Sequence, residues 1–271
     1  MARAFKQVDV FTTRPYYGNP VAVVLDADGV STEAMQRFAQ WTNLSETTFV
    51  LPPTEGGDYR VRIFTPTQEL PFAGHPTLGT CHAWLEAGGV PAGEDVLQEC
   101  GAGLVRVRRD EGRLAFAAPP LIRSGPVEEA DVRHAADVLR IAREDIVDAQ
   151  WADNGPGWMA VLLSSAEAVL ALEPGFVDFD LGVVGPGGAE DWELRAFFPL
   201  NGATVEDPVT GSLNASVAEW LLATGRASAP YVACQGTALG RAGRIHVSRD
   251  DEGVVWVGGG AVTLISGEVA L

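Results

Sequence analysis

Glu69-Leu70-Pro71-Phe72-Ala73-Gly74-His75-Pro76-Thr77-Leu78-Gly79-Thr80-Cys81-His82-Ala83-Trp84 decides the fold, because a cramped Gly-His-Pro turn runs straight into an apolar helical stretch. A helix starting there presents backbone N–H groups with no partner inside the helix, and the positive end of its dipole attracts anions. The stretch has a counterpart further on. Gly74-His75-Pro76-Thr77-Leu78-Gly79-Thr80 aligns with Gly211-Ser212-Leu213-Asn214-Ala215-Ser216-Val217, each with a proline three residues upstream (Pro71, Pro208) and a tryptophan downstream (Trp84, Trp220). Upstream, Asn19-Pro20-Val21-Ala22-Val23-Val24-Leu25 lines up with Gly157-Trp158-Met159-Ala160-Val161-Leu162-Leu163 at nearly the same offset. Two related halves follow: residues 1–118, with 260–271 a candidate to return to them, and residues 119–259.

A chain of 271 residues with 46% hydrophobic content accommodates two cores of roughly 120 to 140 residues each. The 31 glycines are spread through the sequence rather than concentrated, so tight turns are expected and disorder is not. The net charge of −17 repels phosphate backbones and anionic lipid surfaces, which disfavours nucleic acid and membranes as partners. No apolar run approaches a membrane span and the first residues lack a secretory core, so a cytoplasmic protein is expected.

The three cysteines, Cys81, Cys100 and Cys234, are unevenly spaced and form no Cys-x-x-Cys pair, which argues against a disulfide framework or a structural zinc site. They read as small buried residues. Lys6 is the only lysine, so no Gly-Lys-Ser/Thr phosphate loop exists, and a Schiff base to a pyridoxal cofactor would have to use a residue near the start of the first strand. Gly101-Ala102-Gly103 continues as Leu104-Val105-Arg106, without the third glycine of a dinucleotide fingerprint. The expectation is chemistry without a cofactor or a metal.

Gln7-Val8-Asp9-Val10-Phe11-Thr12 alternates as a half-buried strand does, and residues 21–25 form a continuous apolar run of strand length. Ser31 or Thr32 can cap a helix carrying Met35, Phe38 and Ala39 on one face, after which Glu46 falls at a helix-to-strand junction. Alternation predicts a strand over 59–64, and short strands over 97–100, 104–108 and 114–117, the last two joined by a hairpin at Asp110-Glu111-Gly112. Pro119-Pro120 marks the boundary between halves. In the second half, helices are predicted over 130–139, 166–172 and 213–224, and strands over 158–163, 191–198, 238–239, 244–248, 254–257 and 261–265. The first-half helix after the Gly-His-Pro turn is predicted over 76–87.

Two halves that each present a helix N-terminus can face one another across a cleft and hold a small carboxylate. Each terminus contributes about 0.3 to 1 kcal/mol for an exposed anion and up to about 2 when partly buried. Near them the candidate proton carriers are Glu46, His75 and Asp207. A histidine exchanges protons near neutral pH directly, and a carboxylate does so when an apolar surround raises its pKa. Residue type and spacing alone leave each open to a plainer reading. Glu46 suits a solvated loop carboxylate, His75 a residue bonding its own turn, and Asp207 a turn or cap residue before Pro208.

The sequence resembles the phenazine-biosynthesis isomerase-like (PhzF-like) proteins, relatives in fold of diaminopimelate epimerase and proline racemase. The matching pieces are Phe11-Thr12 with Gly18-Asn19-Pro20-Val21-Ala22-Val23-Val24, Asn43-Leu44-Ser45-Glu46-Thr47-Thr48-Phe49-Val50, and Phe64-Thr65-Pro66 through Leu70 to Gly79. Glu206-Asp207-Pro208-Val209-Thr210-Gly211-Ser212, Gln235-Gly236 and Leu239-Gly240-Arg241 complete them in the family's order.

The resemblance implies an α+β fold of two pseudo-symmetric domains, each a curled, mostly antiparallel sheet around a central helix, with the active site in the cleft between them. It implies a cofactor-independent isomerase acting on a small anionic substrate, in which Glu46 matches the acid/base glutamate and His75 and Asp207 match assisting residues. Gly74, Gly211 and Ser212 match backbone anion contacts, and the motif neighbours Asn19, Ser45, Pro76, Thr77 and Thr210 are assigned with them to substrate binding. A homodimer is expected by the same analogy.

Related epimerases and racemases use two cysteines, and neither Gly turn here holds one, so two-thiol racemisation is not expected. Leu213 stands where the family usually has alanine, and Ala242 where a proline follows Gly-Arg, so a change in pocket shape is an open question. Two other readings are a thiol-independent amino-acid epimerase and a binding protein without activity. The physiological substrate, and whether the protein serves a phenazine pathway, are not legible in the sequence.

Overall fold

The computed structural model describes residues 1–110, 112–188 and 191–271. Glu111, the middle of the expected hairpin turn, lies outside the described residues. The chain divides into two compact units, Met1–Ala117 with Gly258–Leu271, and Ala118–Val257.

The first unit contains β1 (Ala2–Val10), β2 (Asn19–Val24), α1 (Thr32–Thr42), β3 (Glu46–Leu51), β4 (Tyr59–Phe64), β5 (Glu69–Leu70), α2 (Gly74–Glu86), β6 (Val96–Cys100), β7 (Gly103–Asp110) and β8 (Arg113–Ala117). Its pairings run β1/β2 antiparallel, β2/β3 parallel, β3/β4 and β4/β5 antiparallel, β4/β6 parallel, and β6/β7 antiparallel. The second unit contains β9 (Arg123–Pro126), α3 (Glu129–Leu139), β10 (Asp148–Asp153), β11 (Met159–Leu162), α4 (Ala166–Leu170), β12 (Leu181–Pro186), β13 (Asp191–Leu200), β14 (Ala203–Asp207), α5 (Gly211–Ala223), β15 (Tyr231–Gln235) and β16 (Gly243–Arg249). After β17 (Val255–Gly259), β18 (Ala261–Ala270) lies beside β1, with Ala2 opposite Ala270 and Val10 opposite Ala261.

The second unit repeats the pairing directions of the first in the same order: β10/β11 antiparallel, β11/β12 parallel, β12/β13 and β13/β14 antiparallel, β13/β15 parallel, β15/β16 antiparallel. The repeat read from the two Gly motifs is thus a repeat of topology.

In the first unit the sheet wraps α2, which touches β1, β2, β3, β6, β8 and β18. Residues 74–81 of this helix are all buried, as expected of a helix apolar on every side. Close approach depends on glycine, since a Cβ on Gly79 would overlap the Val21 side chain. The opposite face of the sheet is covered by α1, where Met35 and Ala39 pack with Val24, Phe49 and Phe64. β2 is therefore buried on both faces, which is why its sequence is continuously apolar rather than alternating. In the second unit α3 and α4 cover one face, packing Val132, Leu139 and Val169 on Met159, Val161, Leu181, Val183 and Phe197. Leu213 of α5 meets the other face, filling the space left by Gly182 of β12, where a Cβ would overlap its Cδ1.

Several sequence expectations change. Both central helices begin two residues earlier than predicted, at Gly74 and Gly211, because the extended residues are Ala73 (φ −153, ψ 139) and Thr210 (φ −109, ψ 101). Pro76 then lies in the first helical turn, where its missing N–H costs nothing. Residues 238–239, predicted as strand, lie in a 3-10 turn, Thr237–Leu239, between two left-handed glycines, Gly236 (φ 86) and Gly240 (φ 71). The alignment of residues 19–25 with 157–163 is out by one residue. Val21 packs on α2, whereas Met159 faces the α3 side, and a one-residue slip reverses every side chain of a strand. β5, β9, β10, β12, β14 and β15 had no expectation.

Candidate active site

Three chain segments deliver polar groups to the start of α2. Asn19 opens β2, Glu46 opens β3 in parallel register opposite Val21, and His75 is the second residue of α2. Alternation along β3 puts Glu46 on the face of Thr48, whose hydroxyl accepts a 2.8 Å bond from Thr80 of α2. Glu46 Oε2 lies 3.2 Å from His75 Nε2, with side chains 15% and 4% exposed. On the other side of the ring, Asn19 Nδ2 lies 3.5 Å from His75 Nδ1.

Burial pushes the His75 pKa down to about 3, offset only in part by the ring's hydrogen bond to the carbonyl of Pro20. The imidazole is therefore neutral at physiological pH, and its contact with Glu46 is a dipolar one rather than an ion pair. No side chain caps α2 and no acidic residue sits in its first turn. Its leading N–H groups consequently retain their positive potential next to the Glu46–His75 pair.

The loop that delivers Asn19 is tightly specified. Asp9, buried in β1, accepts the Gly18 N–H at 3.1 Å through Oδ2. A Cβ at Gly18 would overlap the Val10 carbonyl, so only glycine fits. Phe11, fully buried, holds a left-handed φ of 63°, a conformation that costs a bulky residue energy and persists only where its surroundings enforce it.

The second unit builds a polar group at the start of α5. Asp207 ends β14, and its Oδ2 accepts a 2.6 Å bond from Thr210 Oγ1. Ser212, the second residue of α5, accepts from Trp158 Nε1 at 3.0 Å through Oγ and from Asn154 Nδ2 at 2.9 Å through its carbonyl. Here too the helix start lacks a side-chain cap and an acidic first turn.

Within the first unit the structure brings Asn19, Glu46 and His75 together, with Gly74, Pro76 and Thr77 buried in the same helical turn and Ser45 exposed beside Glu46. Within the second it brings Asp207 and Thr210 together and places Gly211 next to them in the chain. Leu213 is fully buried on Gly182.

Sequence reasoning gave no role to the residues that hold these groups in place, although Gln235 stands in one of the matching pieces. Gln98 Nε2 donates to Thr77 Oγ1 at 2.9 Å, and Gln235 Oε1 accepts from Asn214 Nδ2 at 2.7 Å. Thr77 and Asn214 are each the fourth residue of their helix, and each glutamine lies 21 residues further on. That shared offset within an already recognised repeat was a readable signal.

The profile of the phenazine biosynthesis-like protein family matches residues 8–267. The chain belongs to the phenazine biosynthesis-like family. It is 37% identical over 98% of its length to antisense-enhancing sequence 1 of Schizosaccharomyces pombe, covering 98% of that protein. It is 36% identical over 91% of its length to the trans-2,3-dihydro-3-hydroxyanthranilate isomerase of Pseudomonas aeruginosa, covering 90% of that enzyme. Among solved structures, a phenazine biosynthesis protein from Enterococcus faecalis superposes with a TM-score of 0.83 at 27% identity, with full coverage of both chains. Phenazine biosynthesis-like proteins with named activities among its relatives are isomerases, and this is an isomerase family. Among the described residues, no helix is long and apolar enough to cross a membrane.

Proposed function

We propose that the protein is a cofactor-independent isomerase that moves a proton along an allylic or conjugated system of a small carboxylate. The observation that carries this reading is the 3.2 Å approach of Glu46 Oε2 to the neutral His75 at an uncapped helix start. Glu46 removes and returns the proton. His75 and the N–H groups of α2 stabilise charge that develops on the substrate, and Asp207 assists. Gly74, Asn19, Ser45, Pro76 and Thr77 in the first unit, and Thr210, Gly211 and Ser212 in the second, are assigned to substrate binding.

Thiol chemistry is disfavoured by the one cysteine in α2. Burial pushes Cys81 up to about 12, so it holds its proton at any pH where the fold operates. The named relatives support this substrate class, and trans-2,3-dihydro-3-hydroxyanthranilate is the first compound to supply. The test is conversion of a panel of small ring carboxylates, followed by ultraviolet absorbance as conjugation changes. Turnover that falls with Glu46→Gln supports the reading. Inversion of an optically pure amino acid in place of a bond shift would replace it with epimerisation, and absence of any conversion across the panel would favour a binding protein.

A further inference from the structure

Gln235 has all four of its amide hydrogen-bonding positions filled inside the fold. It is fully buried. Its Oε1 accepts from the Thr210 backbone N–H at 3.0 Å and from Asn214 Nδ2 at 2.7 Å. Its Nε2 donates to the Asp207 carbonyl at 3.1 Å and to Thr210 Oγ1 at 2.9 Å.

The direction of every bond in this group is fixed by chemistry. A backbone N–H can only donate and a backbone carbonyl can only accept, so the amide of Gln235 has one permitted orientation. Thr210 Oγ1 therefore accepts a hydrogen bond from Gln235 Nε2. Its own single proton is left for Asp207 Oδ2, 2.6 Å away, the short distance of a charge-assisted bond. We propose that Gln235 is a positioning residue that acts through Thr210 to orient the Asp207 carboxylate and hold it as a hydrogen-bond acceptor. This inference rests on the assisting role given to Asp207 above.

The first unit carries the matching strut with different chemistry at its end. Tyr59 donates to Gln98 Oε1 at 3.0 Å and Gln98 Nε2 donates to Thr77 Oγ1, again at an offset of 21 residues from the fourth residue of the central helix. Both struts brace a central helix, and only the second continues to a carboxylate.

On β13 the register partner of Asp207 is Ala196. Arg195 beside it is bound to Glu206 at 2.7 Å and to the carbonyls of Val169 and Leu172, on the opposite face of the sheet. After β15, Arg241 packs against Gly236, which itself approaches the Pro208 carbonyl.

The test is carbon-13 NMR of the whole protein labelled at aspartate carboxyls, with Asp207 identified by the resonance lost in Asp207→Asn. Thr210→Val removes the relaying hydroxyl, Thr210→Ser retains it, and Gln235→Met removes the amide while keeping its size. The Asp207 titration midpoint is expected to rise by on the order of one pH unit in Thr210→Val, by less in Gln235→Met, and to stay near wild type in Thr210→Ser. Gln98→Met, which removes the other strut, is expected to leave it unchanged. An Asp207 midpoint unmoved in both Thr210→Val and Gln235→Met overturns the inference, as does an equal shift in Gln98→Met. Full isomerase turnover in Asp207→Asn would instead overturn the assisting role while leaving the relay standing.

Discussion

Replacing His75 by glutamine should change how stability depends on pH more than it changes stability at neutral pH. The ring's pKa is about 3 in the folded protein and about 6.5 in an unfolded chain. A group whose folded pKa is depressed supplies stability that is complete above the unfolded value and is lost as pH falls towards the folded one. The unfolded chain takes up a proton over this window and the folded protein does not. Each pH unit between about 6.5 and 3 then removes about 1.4 kcal/mol, so wild type loses about 2 kcal/mol between pH 6.5 and pH 5 through this residue alone. Urea unfolding of wild type and His75→Gln at half-unit steps from pH 7.5 to 5 isolates the difference, because His82 and every surface carboxylate are common to both. The wild-type curve should fall more steeply below pH 6.5 and run parallel to the variant above it. Parallel curves over the whole range would show that His75 protonates as freely in the fold as outside it, and the neutral-imidazole reading would fail.

Three further outcomes follow from particular contacts. Leu213→Ala should cost about 3 to 5 kcal/mol in chemical unfolding, because the fully buried side chain fills the space above Gly182 and that glycine has no side chain to move in. Gly79→Ala should destabilise by about 1 to 3 kcal/mol through overlap with Val21, and should lower kcat by displacing the helix that carries His75. The kcat/KM profile should show no limb attributable to His75 between pH 5 and 8, since its folded pKa lies near 3; a limb in that range that disappears in His75→Gln would contradict this.

The repeat was the most legible part of the fold, because it needed only the two Gly motifs and their prolines and tryptophans. The pairing directions of β1 to β7 and β10 to β16 show the same duplication without reference to those motifs. Helix starts were misplaced because the Gly-His-Pro stretch looks like a turn, and only the extended backbone of Ala73 and Thr210 reveals that the glycines are already helical. β12 escaped notice because Leu181–Pro186 contains two glycines, each required by a close neighbour, Leu213 at Gly182 and Ser165 at Gly185. Such glycines lower strand propensity while serving packing.

The candidate site was legible in residue type but not in assembly. His75 could be placed at a helix start from sequence, yet nothing in the spacing of Asn19, Glu46 and His75 indicates that β2 and β3 are adjacent and parallel, which is what brings the three together. The supporting residues were hidden for another reason. Gln98 looks like an ordinary polar strand residue and Gln235 stands in a matching piece without any role attached to it, and their burial is apparent only once the sheet has curled over the helix.

The central claim is that Glu46 carries the substrate proton, and the most direct measurement is turnover in deuterium oxide followed by NMR of the product. With trans-2,3-dihydro-3-hydroxyanthranilate or another converted ring carboxylate, wild type should give product bearing deuterium at the newly protonated carbon. Glu46→Gln should slow product formation by about 100-fold to 10,000-fold, the usual contribution of a positioned acid or base. Product formed by Glu46→Gln at the wild-type rate, with the same deuterium content, would assign the proton to another group.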